Sequence, residues 1–207
     1  MNENEAKTWL DVFLKNKQEL EDIADKEIII GPTFTLLPLF KSRLADSNIK
    51  LSAQNISPFD EGAFTGEVNG KQIKDYAEYV IIGHSERRTN FNEANQVLGE
   101  KVKMAYKYGL KPIYCAQGKD TVVPEGIELI AYEPVFAIGS GNPDTPENAE
   151  DVCASFVGKN DSFKLLYGGS VTPDNVNLFT KRDKISGVLV GGASLDPQEF
   201  ISIIKNA

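Results

Sequence analysis

The sequence predicts an α/β protein in which short parallel strands alternate with helices. Seven short apolar segments recur along the 207 residues, and helical patterns or helix start signals follow most of them. The segments are apolar without clean alternation, which is typical of parallel strands that helices cover. No linker, low-complexity tract or break in composition divides the chain, so we expect a single domain over residues 1–207. These patterns are compatible with a doubly wound sheet and with a (β/α) barrel.

The strands and the first helices are predicted from the order of apolar and helical segments. Strands are expected at 27–31, 50–54, 79–83, 111–115, 127–132, 163–168 and 187–191. A helix is expected before the first strand at 3–24, and helices are expected between later strands at 35–45, 71–77 and 90–108. Residues 3–24 place several large apolar side chains on one face, and Gly109 is suited to end the helix that precedes it.

Three later helices are expected to begin where a polar residue precedes proline. The pairs are Thr145-Pro146, Thr172-Pro173 and Asp196-Pro197. A polar N-cap accepts from a backbone N–H of the first turn, and proline suits the first helical position. The segment 56–70 is rich in Gly, Pro, Asn and Asp, and it is predicted to be a long loop.

The composition excludes several function classes. The chain is 41% hydrophobic and 25% charged, with a net charge of −8. That charge argues against non-specific binding to nucleic acid or to an anionic membrane. No apolar run approaches the roughly 18 residues of a transmembrane span, and the N-terminus lacks the apolar core of a signal peptide, so a cytoplasmic location is expected. One histidine and two cysteines predict neither a His-rich zinc site nor a secreted disulfide framework.

Residues with catalytic chemistry follow several of the predicted strands. His84 follows the strand at 79–83, Glu133 follows the strand at 127–132, and Gly-Gly pairs follow the last two strands. In parallel α/β proteins the carboxyl ends of the strands and their loops form the site. Glycine pairs before helices can also expose backbone N–H groups to a phosphate, which suits an acidic protein.

Each of these features also has a simpler interpretation. A lone histidine is more often a surface or core residue, and a glutamate before proline is often a solvated loop carboxylate. Gly-Gly is usually turn chemistry, and the chain has neither a dinucleotide-binding nor a P-loop glycine motif. Glu86, Arg87 and Arg88 form either an ion-paired loop or part of a site. Cys115 and Cys153 are interpreted as buried small apolar residues.

Five segments together resemble the triosephosphate isomerase family. They are AQNISPFDEGAFTGE (53–67), YVIIGHSERR (79–88), AYEPVFAIGSG (131–141), LYGGSVTPDNV (166–176) and GVLVGGASL (187–195). They occur in the family's order from about residue 1 to residue 205. The resemblance implies a (β/α) TIM barrel and an enzyme of glycolysis and gluconeogenesis. The implied reaction interconverts dihydroxyacetone phosphate and glyceraldehyde 3-phosphate by proton transfer through an enediolate, without metal or cofactor.

The resemblance also implies a role for each matching residue. Glu133 is the general base, His84 is the neutral electrophile, and Glu86 supports the site. The phosphate-binding positions are Gly139, Ser170, Gly191 and Gly192. The lid begins with Pro134, Val135, Phe136, Ala137 and Ile138, and Tyr167 and Ser170 hold it closed. Arg87 braces the loop 56–70, through which the family forms a homodimer, with Thr65 near its tip.

The chain departs from the family pattern in two places. Family members begin with a strand that carries Asn-x-Lys, whereas this sequence starts at the Met-Asn that follows, so we expect a barrel without the first strand and its lysine. The connection after the strand ending at Cys115 is also short, because only 18 positions separate Cys115 from Glu133, and we expect no full helix there. An alternative function is therefore that of a catalytically impaired, phosphate-binding barrel protein.

Overall fold

The computed structural model describes residues 1–16, 20, 26–137, 141–157 and 163–207. Seven strands lie in this part of the chain, and their pairings are all parallel. They are β1 (Ile29–Ile30), β2 (Lys50–Ala53), β3 (Tyr79–Ile82), β4 (Lys111–Ala116), β5 (Leu129–Tyr132), β6 (Lys164–Tyr167) and β7 (Gly187–Val188). All seven predicted strands are confirmed, with ends that differ from the prediction by at most three residues.

Eight α-helices and three short 3-10 helices are described with these strands. The α-helices are α1 (Glu3–Lys15), α2 (Leu37–Arg43), α3 (Gly70–Ile73), α4 (Ser85–Asn90), α5 (Asn95–Lys107), α6 (Pro146–Val157), α7 (Val176–Thr180) and α8 (Pro197–Asn206). The 3-10 helices are Phe34–Leu36, Val135–Ala137 and Gly192–Leu195. None of the described helices combines the length and apolar character that crossing a bilayer requires.

The chain divides into two compact units, and the expectation of a single domain stays a prediction. The His84 unit comprises residues 26–115 and 122–127. The Glu133 unit comprises residues 1–25, 116–121 and 128–207.

The His84 unit contains four parallel strands in the order β1-β2-β3-β4. Strand β3 pairs with β4 from Tyr79 opposite Lys111 to Ile82 opposite Tyr114. Most residues of β3 and β4 are buried, as expected for parallel strands that helices cover. The carboxyl ends of both strands therefore lie at one edge, and His84 follows the first of them.

The Glu133 unit contains the parallel strands β5, β6 and β7 in that order. Strands β5 and β6 pair over their full length, so the residues after Tyr132 and Tyr167 emerge at the same edge. Helices α1 and α8 pack through an aromatic cluster in which Trp9 and Phe13 stack at 4.7 Å beside Phe200. The Trp9 indole also donates a hydrogen bond to the carbonyl of Ser194.

Two predicted helix starts were wrong. The helix predicted over 90–108 begins at Asn95, because a separate helix, α4, follows His84 directly. The helix predicted to start at Pro173 begins at Val176. Residues 173–175 form a turn in which the Asn175 side chain accepts from the Thr172 N–H and donates to the Ser170 carbonyl. The local hydrogen bonds of Asn175 thus compete with a helical first turn.

The short connection between β4 and β5 contains no helix, as predicted. Residues 117–128 are turns, a bend and irregular backbone. Within the His84 unit, the Tyr114 hydroxyl donates to the Val122 carbonyl and the Tyr106 hydroxyl donates to the Gly126 carbonyl. Ile127 is fully buried. Tyrosine side chains of β4 and α5 therefore satisfy backbone groups of this connection that a helix would have satisfied internally.

Candidate active site

His84 lies between the end of β3 and the start of α4. Its backbone precedes the helix as the N-cap residue, and its ring nitrogen Nδ1 accepts from the Glu86 N–H at 3.3 Å. Because Nδ1 accepts a hydrogen bond, the proton of the neutral ring is assigned to Nε2. The side chain is 28% exposed. The arrangement provides one N–H donor on a ring whose other nitrogen is fixed by the helix.

Gly83 makes this position of His84 possible. It has a φ of +78°, a left-handed conformation that side chains rarely adopt. A Cβ atom here would also lie 3.0 Å from Nη2 of Arg88 and 3.2 Å from Cδ1 of Leu98. The chain can therefore turn from β3 into His84 only with glycine at this position.

Arg88 fixes the ends of two neighbouring strands. Its Nε donates to the Gly83 carbonyl at 2.7 Å, and its Nη2 donates to the Cys115 carbonyl at 3.1 Å. Its Nη1 donates to the Asn95 side chain. Glu86, by contrast, is 72% exposed, with its carboxylate 3.9 Å from Nδ1 of His84. Arg88 is therefore part of the scaffold around His84, while the supporting role of Glu86 stays a prediction.

A buried charge cluster lies beside α4. Glu93 Oε1 accepts from Arg87 Nε at 2.7 Å and from Lys101 Nζ at 2.5 Å, and Lys101 also donates to Asn55. Lys101 is only 2% exposed. Burial lowers the pKa of Lys101, although the hydrogen bond to Glu93 opposes that shift. Glu93 and Lys101 were not among the residues predicted from the sequence. Lys101 could have been recognised from its place among the apolar residues of the buried face of α5.

Glu133 directly follows β5 and is 1% exposed. Its N–H donates to the Ala116 carbonyl at 2.7 Å, and the Gly168 N–H donates to the Tyr132 carbonyl at 2.7 Å. A Cβ atom at Gly168 would lie 3.1 Å from Cγ of Glu133. The carboxylate side chain is therefore packed against a glycine backbone, and the solvated-loop interpretation of Glu133 is wrong.

The Gly168-Gly169 pair is required for close packing. Neither residue has a positive φ, so a left-handed conformation is not what requires glycine at these two positions. A Cβ atom at Gly169 would overlap the hydroxyl of Tyr167. Larger residues at Gly168 would displace Glu133, and larger residues at Gly169 would displace Tyr167.

The start of the predicted lid contacts Ser170. Val135–Ala137 form a 3-10 helix in which Val135 and Phe136 are exposed and Ala137 is buried. The Ser170 hydroxyl donates to the Ala137 carbonyl at 2.6 Å. The predicted site residues Ile138 and Gly139 lie outside the described residues. Ser170 thus contacts the lid backbone, which agrees with a lid-holding role.

Gly191 and Gly192 follow the last strand and are exposed. No atom lies within 4 Å of the position that a Cβ would take at either residue. Gly192 begins the 3-10 helix that ends at Leu195. Their backbone is therefore open to a ligand at the same edge of the sheet as Glu133 and Ser170.

The described residues contain no group of three or more His, Cys, Asp or Glu side chains that could hold a metal ion. In the Glu133 unit the strand ends offer a carboxylate and open backbone, and in the His84 unit the end of β3 offers an imidazole N–H. A carboxylate can act as a general base, and an imidazole N–H can donate to an oxygen on which negative charge develops.

Comparisons with known proteins agree with this architecture. A family model described as triosephosphate isomerase matches residues 1–207. The triosephosphate isomerase of Dictyoglomus thermophilum is 39% identical, with 94% of this chain and 92% of that protein covered. That of Mesomycoplasma hyopneumoniae strain 232 is 40% identical, with 88% and 84% covered.

A solved structure gives the same result for the fold. The crystal structure of triosephosphate isomerase from Bartonella henselae is 31% identical and has a TM-score of 0.78, with 87% of both chains covered. The parallel strands, the intervening helices and this similarity confirm the α/β TIM-barrel class, here with seven strands in the described residues. The chain belongs to the triosephosphate isomerase family.

Proposed function

We propose that Glu133 and His84 carry out the isomerisation of triose phosphates for which the family is named. Family membership makes the chain a triose-phosphate isomerase that interconverts dihydroxyacetone phosphate and glyceraldehyde 3-phosphate. The observation that carries the residue assignment is the burial of the Glu133 side chain against Gly168, directly after a parallel strand.

The reaction needs one base and one donor. The Glu133 carboxylate removes a proton from the carbon beside the substrate carbonyl, and the electron pair of that C–H bond forms the enediolate. The Nε2–H of His84 donates to the oxygen on which negative charge develops. Glu133 then returns the proton to the adjacent carbon. The hydrogen bond from the Glu86 N–H to Nδ1 supports the neutral ring, because an acceptor at Nδ1 carries no proton.

Ser170, Gly191 and Gly192, together with Gly139, are proposed to bind the substrate phosphate. The open backbone at Gly191 and Gly192 supports this assignment. A protein with a net charge of −8 must hold an anion through local dipoles rather than through its overall field.

The segment 134–141 is proposed to close over the substrate, with Ser170 and Tyr167 as its latch. The hydrogen bond from Ser170 to the Ala137 carbonyl supports this role. A closed lid excludes water, which makes the carboxylate a stronger base and protects the enediolate from expelling its phosphate.

A coupled assay with both triose phosphates tests the assignment of the base. Glu133→Asp retracts the carboxylate by about 1 Å, and we expect kcat to fall about 10²-fold. Glu128→Asp, at an exposed position five residues earlier, is the matched control and should retain the parent's rate. Equal rates for Glu133→Asp and the parent would overturn the assignment, and a parent without activity would favour the phosphate-binding alternative.

The oligomeric state and the location form a second part of the proposal. Phe59 and Phe64 in the loop 56–70 stack at 4.3 Å and are 48% and 40% exposed, which supports a homodimer that covers them. Analytical ultracentrifugation at micromolar concentration should give twice the 22.8 kDa chain mass, and a monomer would contradict the proposal. A cytoplasmic location agrees with the two buried thiols of Cys115 and Cys153.

A further inference from the structure

A buried carboxylate outside the proposed catalytic residues lies just after the predicted lid. Asp144 is 7% exposed, in the Glu133 unit, between the end of the segment 134–141 and the start of α6. Buried carboxylates are expensive unless several donors satisfy them, so their partners indicate what they hold.

Four hydrogen bonds converge on Asp144. Its Oδ2 accepts from the Tyr132 hydroxyl at 3.1 Å and from Asn148 Nδ2 at 2.8 Å. Its Oδ1 accepts from the Thr145 N–H at 2.8 Å, and its own N–H donates to the Tyr167 hydroxyl at 2.9 Å. Side chain and backbone of one residue thus bind two different tyrosines.

Both tyrosines end strands that carry the proposed site. Tyr132 is the last residue of β5 and immediately precedes Glu133. Tyr167 is the last residue of β6 and immediately precedes the glycine that packs on Glu133. The Tyr167 ring is itself fixed by stacking on Phe179 at 3.8 Å. Asp144 therefore connects the end of β5, which carries the base, and the end of the neighbouring strand β6 to the chain that follows the lid.

The chemistry of the network keeps its donors in place. Burial raises the pKa of Tyr167 to about 12 and raises that of Tyr132 further, so both hydroxyls hold their protons at neutral pH. The Tyr132 hydroxyl therefore remains a donor to Asp144 Oδ2 and connects the base strand to the chain after the lid.

We propose that Asp144 is a positioning residue that couples the placement of Glu133 to the chain segment at the end of the lid. This inference rests on the proposed function of Glu133. The competing role is that of a helix cap only, since Oδ1 of Asp144 lies at the start of α6. However, Thr145 already accepts from the Asn148 N–H there, which is the N-cap contact.

Two substitutions separate positioning from capping. Asp144→Ala removes all three side-chain contacts, and we expect kcat/KM to fall about 10-fold to 10²-fold, chiefly through kcat. Asp144→Asn keeps the shape, but in either orientation its amide leaves at least one of the three donors without an acceptor. We expect it to show a smaller loss of the same kind. Asp196→Asn at the N-cap of α8 is the matched control and should leave kcat and KM unchanged.

A second readout distinguishes a misplaced lid from lower stability. A loosened lid admits water, so the enediolate breaks its C–O bond to phosphate more often. We therefore expect both Asp144 variants to release more inorganic phosphate per isomerisation than the parent, whereas Asp196→Asn should not. If Asp144→Ala does not fold, Asp144→Asn and Tyr132→Phe decide the question, because Tyr132→Phe removes only the link to the base strand.

The outcomes also separate this inference from the assignment of the base. Tyr132→Phe and Asp144→Ala should be non-additive in kcat, because both remove the Tyr132–Asp144 contact. Unchanged kcat and phosphate release in folded Asp144 variants would overturn the positioning role, even if Glu133→Asp lowers kcat as expected. A normal rate for Glu133→Asp would instead overturn the proposed base, on which this inference rests.

Discussion

The two units hold their proposed catalytic residues by different means. His84 is part-exposed, and ionic side chains fix its surroundings, with Arg88 on the ends of β3 and β4 and the Glu93 cluster beside α4. Glu133 is almost fully buried, and tyrosines, a glycine backbone and one carboxylate fix its surroundings.

The difference follows from what each residue is proposed to do. A neutral imidazole donor needs a fixed ring, and one backbone N–H at Nδ1 supplies this while water still reaches the side chain. A general base gains strength when water is removed, so close packing suits Glu133. The groups next to Glu133 are glycine backbone and protonated tyrosines, and the one carboxylate of this network, Asp144, contacts those tyrosines.

The largest expected effect is on the stability of the His84 unit. Glu93→Ala leaves Lys101 buried without its carboxylate partner. Removing one partner of a buried ion pair typically costs about 3–5 kcal/mol, and we expect a loss of this size in the unfolding free energy measured with urea. Adding Lys101→Met, which removes the unpaired charge, should restore a large part of the loss. Equal stability of Glu93→Ala and the parent would show that the ionic cluster does not hold this unit.

The next largest effect concerns catalysis by His84. His84→Leu removes the N–H donor, and loss of one such donor typically raises the barrier by about 2.7–4 kcal/mol, or about 10²–10³-fold in kcat. His84→Gln keeps an N–H donor and should lose less. Steady-state kinetics with glyceraldehyde 3-phosphate measures both. If the two variants were equally active, the donor role would be wrong.

The smallest effect is the pH dependence contributed by Tyr167. Its pKa rises from about 10 when unfolded to about 12 when folded, so above pH 10 the unfolded chain loses this proton first. The stability that this proton contributes is fully present below pH 10 and is lost as the pH rises towards 12. At pH 11 the unfolding free energy is lower by about 1 kcal/mol for this reason.

Urea unfolding at pH 8 and pH 11 measures the contribution of Tyr167 to the unfolding free energy. From pH 8 to pH 11 the unfolding free energy of the parent should fall by about 1 kcal/mol more than that of Tyr167→Phe. Tyr76→Phe, at an exposed tyrosine, should behave as the parent does. Identical losses in the parent and in Tyr167→Phe would mean that the packing around Glu133 does not hold this proton.

Much of the fold could be predicted because its signals are local. The apolar runs that form β3 to β6 can be recognised directly in the sequence. The pair Asp196-Pro197 predicted the start of α8 correctly. The start of α7 was mispredicted because Asn175 forms its own side-chain bonds to nearby backbone. Helix α4 was missed because its six residues are too few for a periodic pattern.

The site was predictable only in part. His84, Glu133 and Ser170 were found from motifs and from their places after strands, and their roles stay predictions with those of the lid residues. Asp144 and Lys101 were not found, because the meaning of each depends on partners far along the chain. Asp144 meets Tyr132 twelve positions away and Tyr167 twenty-three positions away.

The sequence by itself determined the alternation of strands and helices, the family, and which residues stand at the strand ends, because hydrophobic runs and short motifs are properties of neighbouring residues. Only the tertiary structure decided that Glu133 is buried, that Gly168 and Gly169 are needed for close packing, and that Asp144 binds two tyrosines. The physical reason is that burial and hydrogen-bond partners arise when parallel strands bring distant residues to the same edge of a sheet.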